Sequence, residues 1–184
     1  MALPEWDHSH MSKTDVIFIG GRAGVGKSTV AFAMHEQLTA QHIRHAVIEG
    51  DALDLAWPPP WEHHLAARNL AAIWANYHAL GYRRLIYTNT VAILELDALV
   101  EALGGECSVT SILLRADDDT IATRLGQREQ GASLTTHLER SAKAASLLDE
   151  TAPVETHRIQ TNGLRPSAIA HQILKLAGWT LDKV

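Results

Sequence analysis

Residues 16–30 read VIFIGGRAGVGKSTV, an apolar run that breaks into glycines and reopens with Lys27-Ser28-Thr29. The segment matches G-x-x-x-x-G-K-[ST], with Gly21, Gly26, Lys27 and Ser28 at the fixed positions. This pattern requires a strand, a tight turn and a helix in succession. Only then do backbone N–H groups converge on phosphate oxygens at the positive end of a helix dipole. Gly21, Ala23, Gly24, Val25 and Gly26 are the predicted cradle, and Lys27 is its mobile cation. Ser28 and Thr29 open the helix, with the Ser28 hydroxyl placed to take Mg²⁺. A turn that merely favours glycine would need neither the lysine nor the serine.

The 184 residues suffice for a core without disulfides or structural metals. Residues 1–13 are polar, carry His8 and His10 and lack periodicity, so they are expected to be a flexible tail preceding one domain over 14–184. Cys107, the single cysteine, is expected to be a buried structural thiol in a strand. The net charge is −5 and the basic residues are scattered, which argues against a nucleic-acid partner. No apolar run approaches the roughly 20 residues that cross a bilayer, and no basic segment precedes an apolar one at the start. The expectation is therefore a cytoplasmic protein that binds small anionic ligands and has no membrane partner. Monomer and homodimer both remain open.

Helical spacing of Val30, Met34 and Leu38 predicts a helix over 27–41. Apolar stretches at 45–49, 84–88, 108–114 and 157–161 read as further strands. Between them, helices are predicted over 60–80, 93–103, from 117 onward, over 136–148 and over 166–176. Trp57-Pro58-Pro59-Pro60-Trp61 stiffens the loop before the second helix. Strands alternating with helices in this rhythm indicate an α/β protein, with a parallel sheet of about five strands covered on both faces.

Ligands of such sheets lie beyond the carboxyl ends of the strands, which directs attention to residues 49–51, 88–90 and 161–163. Asp51 is a candidate base for a substrate alcohol or a candidate organiser of Mg²⁺; beside Gly50 it also suits a plain turn. Arg124 and Arg128, one helical turn apart with Gly126 and Gly131 adjacent, suit a short lid whose guanidinium groups meet a transferring phosphoryl group. A solvated helix face explains the same pair. Trp57, Trp61, His64, Arg68 and Asn89 are candidates for an acceptor wall, with Arg68 available to an anionic group. The tryptophans suit simple packing of the proline loop equally well. Asp117 reads as a helix cap.

In these motifs the chain resembles small P-loop kinases of the group containing adenylylsulfate kinase, gluconate kinase and chloramphenicol phosphotransferase. The resemblance covers nearly the whole chain after the tail and implies a three-layer P-loop NTPase fold with a short lid. IEGDAL is similar to the Asp-Gly-Asp segment of these kinases, with Glu49 in place of the first aspartate, which would make Asp51 a magnesium ligand and base. DDDTIATRLGQRE is similar to their lid entry, which makes Arg124 and Arg128 the lid arginines. RIQTNG is similar to their adenine loop, which places Asn162, Gly163 and Arg165 near the base. The third strand ends in YTNT, without the acidic residue of motor ATPases, and no Asn-Lys-x-Asp guanine motif occurs. The implied function is Mg²⁺-dependent transfer of the γ-phosphoryl group of ATP to a small molecule. The alternative is a regulatory ATP-binding module, or a slow ATPase with no acceptor.

Overall fold

The computed structural model describes residues 13–127 and 132–179. Five parallel strands form the sheet: β1 (Thr14–Gly20), β2 (Ala46–Glu49), β3 (Arg84–Thr88), β4 (Cys107–Arg115) and β5 (His157–Gln160). Their order across the sheet is β2-β3-β1-β4-β5. Six helices connect and follow them: α1 (Lys27–Ala40), α2 (Leu65–Ala79), α3 (Leu96–Ala102), α4 (Asp118–Gly126), α5 (Ala132–Thr151) and α6 (Pro166–Leu176). The chain leaves β1 first toward β2 and β3 and later toward β4 and β5. The end of β1 is thus the switch point at which a crevice must open.

Strand periodicity divides the core. Ile17 and Ile19 of β1 face the layer made by α1 and α6, where Met34, Leu38, Ile169 and Ile173 are buried. Val16 and Phe18 face the other way, onto Leu70 and Trp74 of α2 and Leu99 of α3. This alternation is the geometry of a strand covered on both sides. Each fully buried side chain of this kind contributes roughly 1.5–3 kcal/mol, so the two layers hold the sheet firmly beneath the loops at its carboxyl edge.

Several predicted boundaries shift. The segment expected as one helix over 93–103 divides into a 3-10 turn at Ala92–Leu94 and the seven-residue α3. Residues 61–63 form a separate 3-10 turn before α2, because His64 adopts a left-handed conformation at φ 47°. α5 begins four residues earlier than predicted and ends at Thr151. Cys107 is half-buried at the start of β4 rather than enclosed, although burial still pushes its thiol above the ordinary value. Residues 1–12 of the predicted tail, Arg128 and Gly131 lie outside the described residues. Among the described residues no helix is long and apolar enough to cross a membrane.

A histidine pair joins α1 to the start of β2. His45 Nδ1 donates to the Ile43 carbonyl at 2.7 Å, and its Nε2 lies 2.8 Å from His35 Nδ1. Burial holds His45 below the usual histidine range, the Ile43 carbonyl opposes this, and positive charge on His35 or Arg84 reinforces it. The unfolded chain therefore binds the proton more readily. The neutral His45 stabilises the fold fully above the unfolded value near 6.5, and this contribution is lost as pH falls toward the depressed folded value. Thermal unfolding between pH 7.5 and 5.5 should show a fall in Tm that is smaller in His45→Gln. Parallel profiles for the two proteins would remove His45 from the account.

Candidate active site

The turn after β1 is shaped by Gly21, at φ 143°. A Cβ there would stand 2.7 Å from the Leu114 carbonyl oxygen and 3.0 Å from Val25 Cγ1, so no side chain fits between the loop and β4. The Gly21 N–H donates to the Thr90 carbonyl at 3.1 Å, tying the loop to the segment after β3. The first helical bond of α1 runs from Val30 N–H to the Gly26 carbonyl, and no side chain caps the helix. The N–H groups of residues 27–29 therefore have no acceptor within the helix. An anion is the group that such a helix start accommodates.

Lys27 is buried and turns back across this cradle. Its Nζ donates to the Gly21 carbonyl at 2.8 Å and lies 3.4 Å from Thr90 Oγ1. Burial lowers its proton affinity, while Asp51 and Glu49 act in the opposite direction. Ser28 and Thr29 are exposed at the mouth of the loop. Asp51 is exposed as well, on the 3-10 turn Gly50–Ala52, and its Oδ1 accepts from Thr90 N–H at 3.3 Å. Strand order explains the reach. β3, not β2, adjoins β1, so Asp51 approaches the loop across the end of β3 and through Thr90. Gly50 permits the approach, since a Cβ there would overlap the Tyr87 hydroxyl and stand 2.9 Å from the Thr88 carbonyl oxygen.

Arg124 lies on the opposite wall. Its Nη1 donates to the Val25 carbonyl at 3.1 Å and to Thr161 Oγ1 at 3.0 Å, and Nη2 donates to the Thr161 carbonyl at 3.2 Å. The guanidinium thus joins the phosphate-loop backbone to the segment after β5. Asn162 pairs with Asp117: its Oδ1 accepts from Asp117 N–H at 3.3 Å, and its Nδ2 donates to the Asp117 carboxylate. Asp117 also caps α4, accepting from Thr120 N–H at 2.7 Å, and these Thr120 bonds hold its carboxyl below the usual range. Gly163 turns the chain at φ 66°. Arg165, exposed at the start of α6, borders a shallow groove with Ser28, Thr29 and Phe32.

Past Asn89, an open cleft of 1170 Å³ runs between α2, α3 and the end of α5. His64 and Asn89 line it. Asn89 is fixed by its own turn, with Oδ1 accepting from Val91 N–H at 2.9 Å. Trp57 is 91 % exposed, and neither it nor Arg68 lines the cleft. The Trp61 side chain lies outside the described residues. Asn69 anchors the loop by donating to the Leu53 carbonyl at 2.6 Å.

Two residues without a role in the motif reading prove central. Thr90 contacts Gly21, Lys27 and Asp51 at once. Arg22 occupies a variable position of the loop motif yet is buried. Its Nη1 donates to Asp118 Oδ1 at 2.6 Å and its Nε to Ser141 Oγ at 2.9 Å, while Ser141 Oγ donates to the Ala23 carbonyl at 3.0 Å. A buried arginine needs such partners, but its sequence position does not say where they are. Among the described residues no group of three His, Cys, Asp or Glu could hold a metal. A hard cation here would depend on a few oxygen donors, such as Ser28 and Asp51, together with phosphate, as Mg²⁺ commonly does.

The comparisons with known proteins agree with this architecture. The adenylylsulphate kinase family profile matches residues 13–57, from β1 into the proline loop. No curated protein matches the sequence at a significant level. Among solved structures, the tunicamycin resistance protein of Deinococcus radiodurans is 23 % identical, covers 92 % of this chain and 98 % of its own, and superposes with a TM-score of 0.65. A gluconokinase from Sinorhizobium meliloti is 21 % identical over 89 % and 91 % of the two chains, with a TM-score of 0.58. The Mycobacterium tuberculosis APS kinase, in complex with AMPPNP and APS, is 16 % identical over 90 % and 98 %, with a TM-score of 0.55. The chain resembles P-loop small-molecule kinases and has their fold.

The Arg22 contacts predict a specific loss. Arg22→Ala removes the buried guanidinium together with its bonds to Asp118 and Ser141, and unfolding in urea should show a destabilisation of roughly 1–3 kcal/mol. Arg22→Lys should recover only part of it, since an ammonium cannot reproduce the planar fork. Full stability in both variants would show that the Asp118 and Ser141 contacts contribute nothing.

Proposed function

We propose that the chain transfers the γ-phosphoryl group of ATP to a hydroxyl of a small molecule held in the cleft beyond Asn89. The observation that carries this reading is the Thr90 junction. A P-loop lysine and an exposed carboxylate meet there, at the boundary between the phosphate cradle and a roomy cleft. A module that only binds nucleotide would need the cradle but not the cleft. The kinase fold of the similar structures, among them a gluconokinase and a shikimate kinase, supports the same assignment.

The chemistry asks for positioning and charge stabilisation. Backbone N–H groups of the loop, foremost the unpaired ones of residues 27–29, bind phosphate oxygens, and Lys27 gives up its contact with the Gly21 carbonyl to meet the terminal phosphates. Mg²⁺ would supply charge neutralisation between the phosphates, with Ser28 and Asp51 as its protein oxygens. Asp51 either takes the proton of the attacking hydroxyl or orients that metal. Arg124 contacts the cradle through the Val25 carbonyl and is the cation proposed to add positive charge when the leaving group develops. Asn162, Gly163 and Arg165 form the rim on the side assigned to the base. Arg128 is the second cation proposed for the transferring group.

Lys27→Ala should abolish most ATP affinity in calorimetry and nearly all turnover. Asp51→Asn should retain much of the ATP binding and the fold while lowering turnover at least about a hundredfold, the lower range for acid–base work. A folded Asp51→Asn protein with full activity on a verified acceptor would reject the role given to Asp51.

A further inference from the structure

The lining of the acceptor cleft has a one-sided charge. Asp54, Glu95 and Asp97 contribute carboxylates, and among the described residues none that lines the cleft is a lysine or arginine. Arg68 is exposed elsewhere on α2, and Arg140 and Lys143, earlier on α5 than Leu147, do not line the cleft either. The remaining wall is largely apolar, including Leu65, Val91, Leu96 and Leu147.

Local structure explains only part of the acidity. Asp97 stands in the first turn of α3, where the helix dipole favours a carboxylate. Glu95 precedes that helix but makes no capping bond, and Asp54 belongs to no helix. The two salt bridges among the described residues, Arg22–Asp118 and Arg115–Asp149, leave these carboxylates without a cationic side chain. They reach the same cleft from separate segments. The buried Tyr87 hydroxyl beneath Gly50 is driven well above the ordinary tyrosine range, first by burial and then by Glu95, Asp51 and Asp54.

A phosphate, sulfate or carboxylate entering this cleft would meet repulsion from its carboxylates, with no guanidinium or ammonium among the described lining residues to receive it. The terminal phosphates of ATP, at its inner end, would add to that repulsion. We infer that the acceptor is an alcohol without phosphate, sulfate or carboxylate groups, uncharged or bearing an amine, whose apolar frame lies against the wall of the cleft. This rests on the kinase reading above. In the transfer the acceptor oxygen bonds to the γ-phosphorus as the bond to the β,γ-bridging oxygen breaks. The electron pair leaves with ADP, and the hydroxyl proton passes to a carboxylate or to water.

The test is an acceptor panel matched in frame and varied in charge: glucosamine, glucose and glucuronate; phenylalaninol and phenyllactate; adenosine and AMP. ADP formation is followed with Mg²⁺ and ATP, and product mass locates the phosphate. Transfer is expected to the neutral or amine members, with the anionic partner of each set the poorest by kcat/KM. Asp54→Asn and Glu95→Gln should each raise KM for an amine acceptor roughly two- to fivefold, the effect of an exposed ion pair. Preference for the anionic members would overturn the acceptor class and leave the kinase reading intact. Amine KM values unchanged in both variants would overturn the part given to Asp54 and Glu95 in receiving an amine. An ATP-binding protein whose ADP formation responds to no member of the panel would overturn the kinase reading, and this inference with it.

Discussion

The contact of Lys27 Nζ with the Gly21 carbonyl, at 2.8 Å, ties together the parts on which the site depends. It holds an otherwise buried cation at the inner face of the phosphate loop, and it can form only because β1 ends at Gly20 and α1 begins at Lys27. The six residues between are fixed from both sides. Thr90 accepts from Gly21 on the β3 side, whereas Leu114 leaves no room for a side chain at Gly21 on the β4 side. The parallel sheet supplies both neighbours, since β3 and β4 flank β1.

Two walls of different chemistry follow from this. Toward β4 and β5, polar contacts are dense: Arg22 with Asp118 and Ser141, Arg124 with Val25 and Thr161, and Asn162 with Asp117. Loop, helices α4 and α5 and the start of the α6 segment are thereby joined through hydrogen bonds to one phosphate-binding backbone. Toward β2 and β3 the wall is looser and acidic, with Asp51 exposed and the cleft open beyond it. A hydrogen-bonded wall beside the phosphate loop and an open cleft opposite it suit the proposed phosphoryl transfer, which relies on positioning.

The family resemblance and the structure emphasise different residues. Glu49-Gly50-Asp51 attracts attention as a motif, yet Gly50 has a steric reason of its own, since it alone lets the turn lie over the Tyr87 hydroxyl. Arg124 attracts attention as a lid cation, and its guanidinium is engaged with the loop backbone and Thr161. Trp57 and Arg68, read as an acceptor wall, stand outside the lining of the cleft, whereas His64 and Asn89 belong to it.

The sequence by itself determined the strand, phosphate loop and helix, because residue spacing within one continuous segment dictates backbone conformation there. It also determined the parallel sheet, since apolar runs of strand length alternating with helical periods admit few other architectures. Only the tertiary structure decided the partners of Arg22, which lie 96 and 119 residues away, and the role of Thr90 as a junction. Periodicity records which face of an element is buried, not which side chain from another element will meet it. The acidity of the cleft was hidden for the same reason: Asp54, Glu95 and Asp97 come from two separate stretches of chain, and they line one cleft only after the sheet has brought those stretches together.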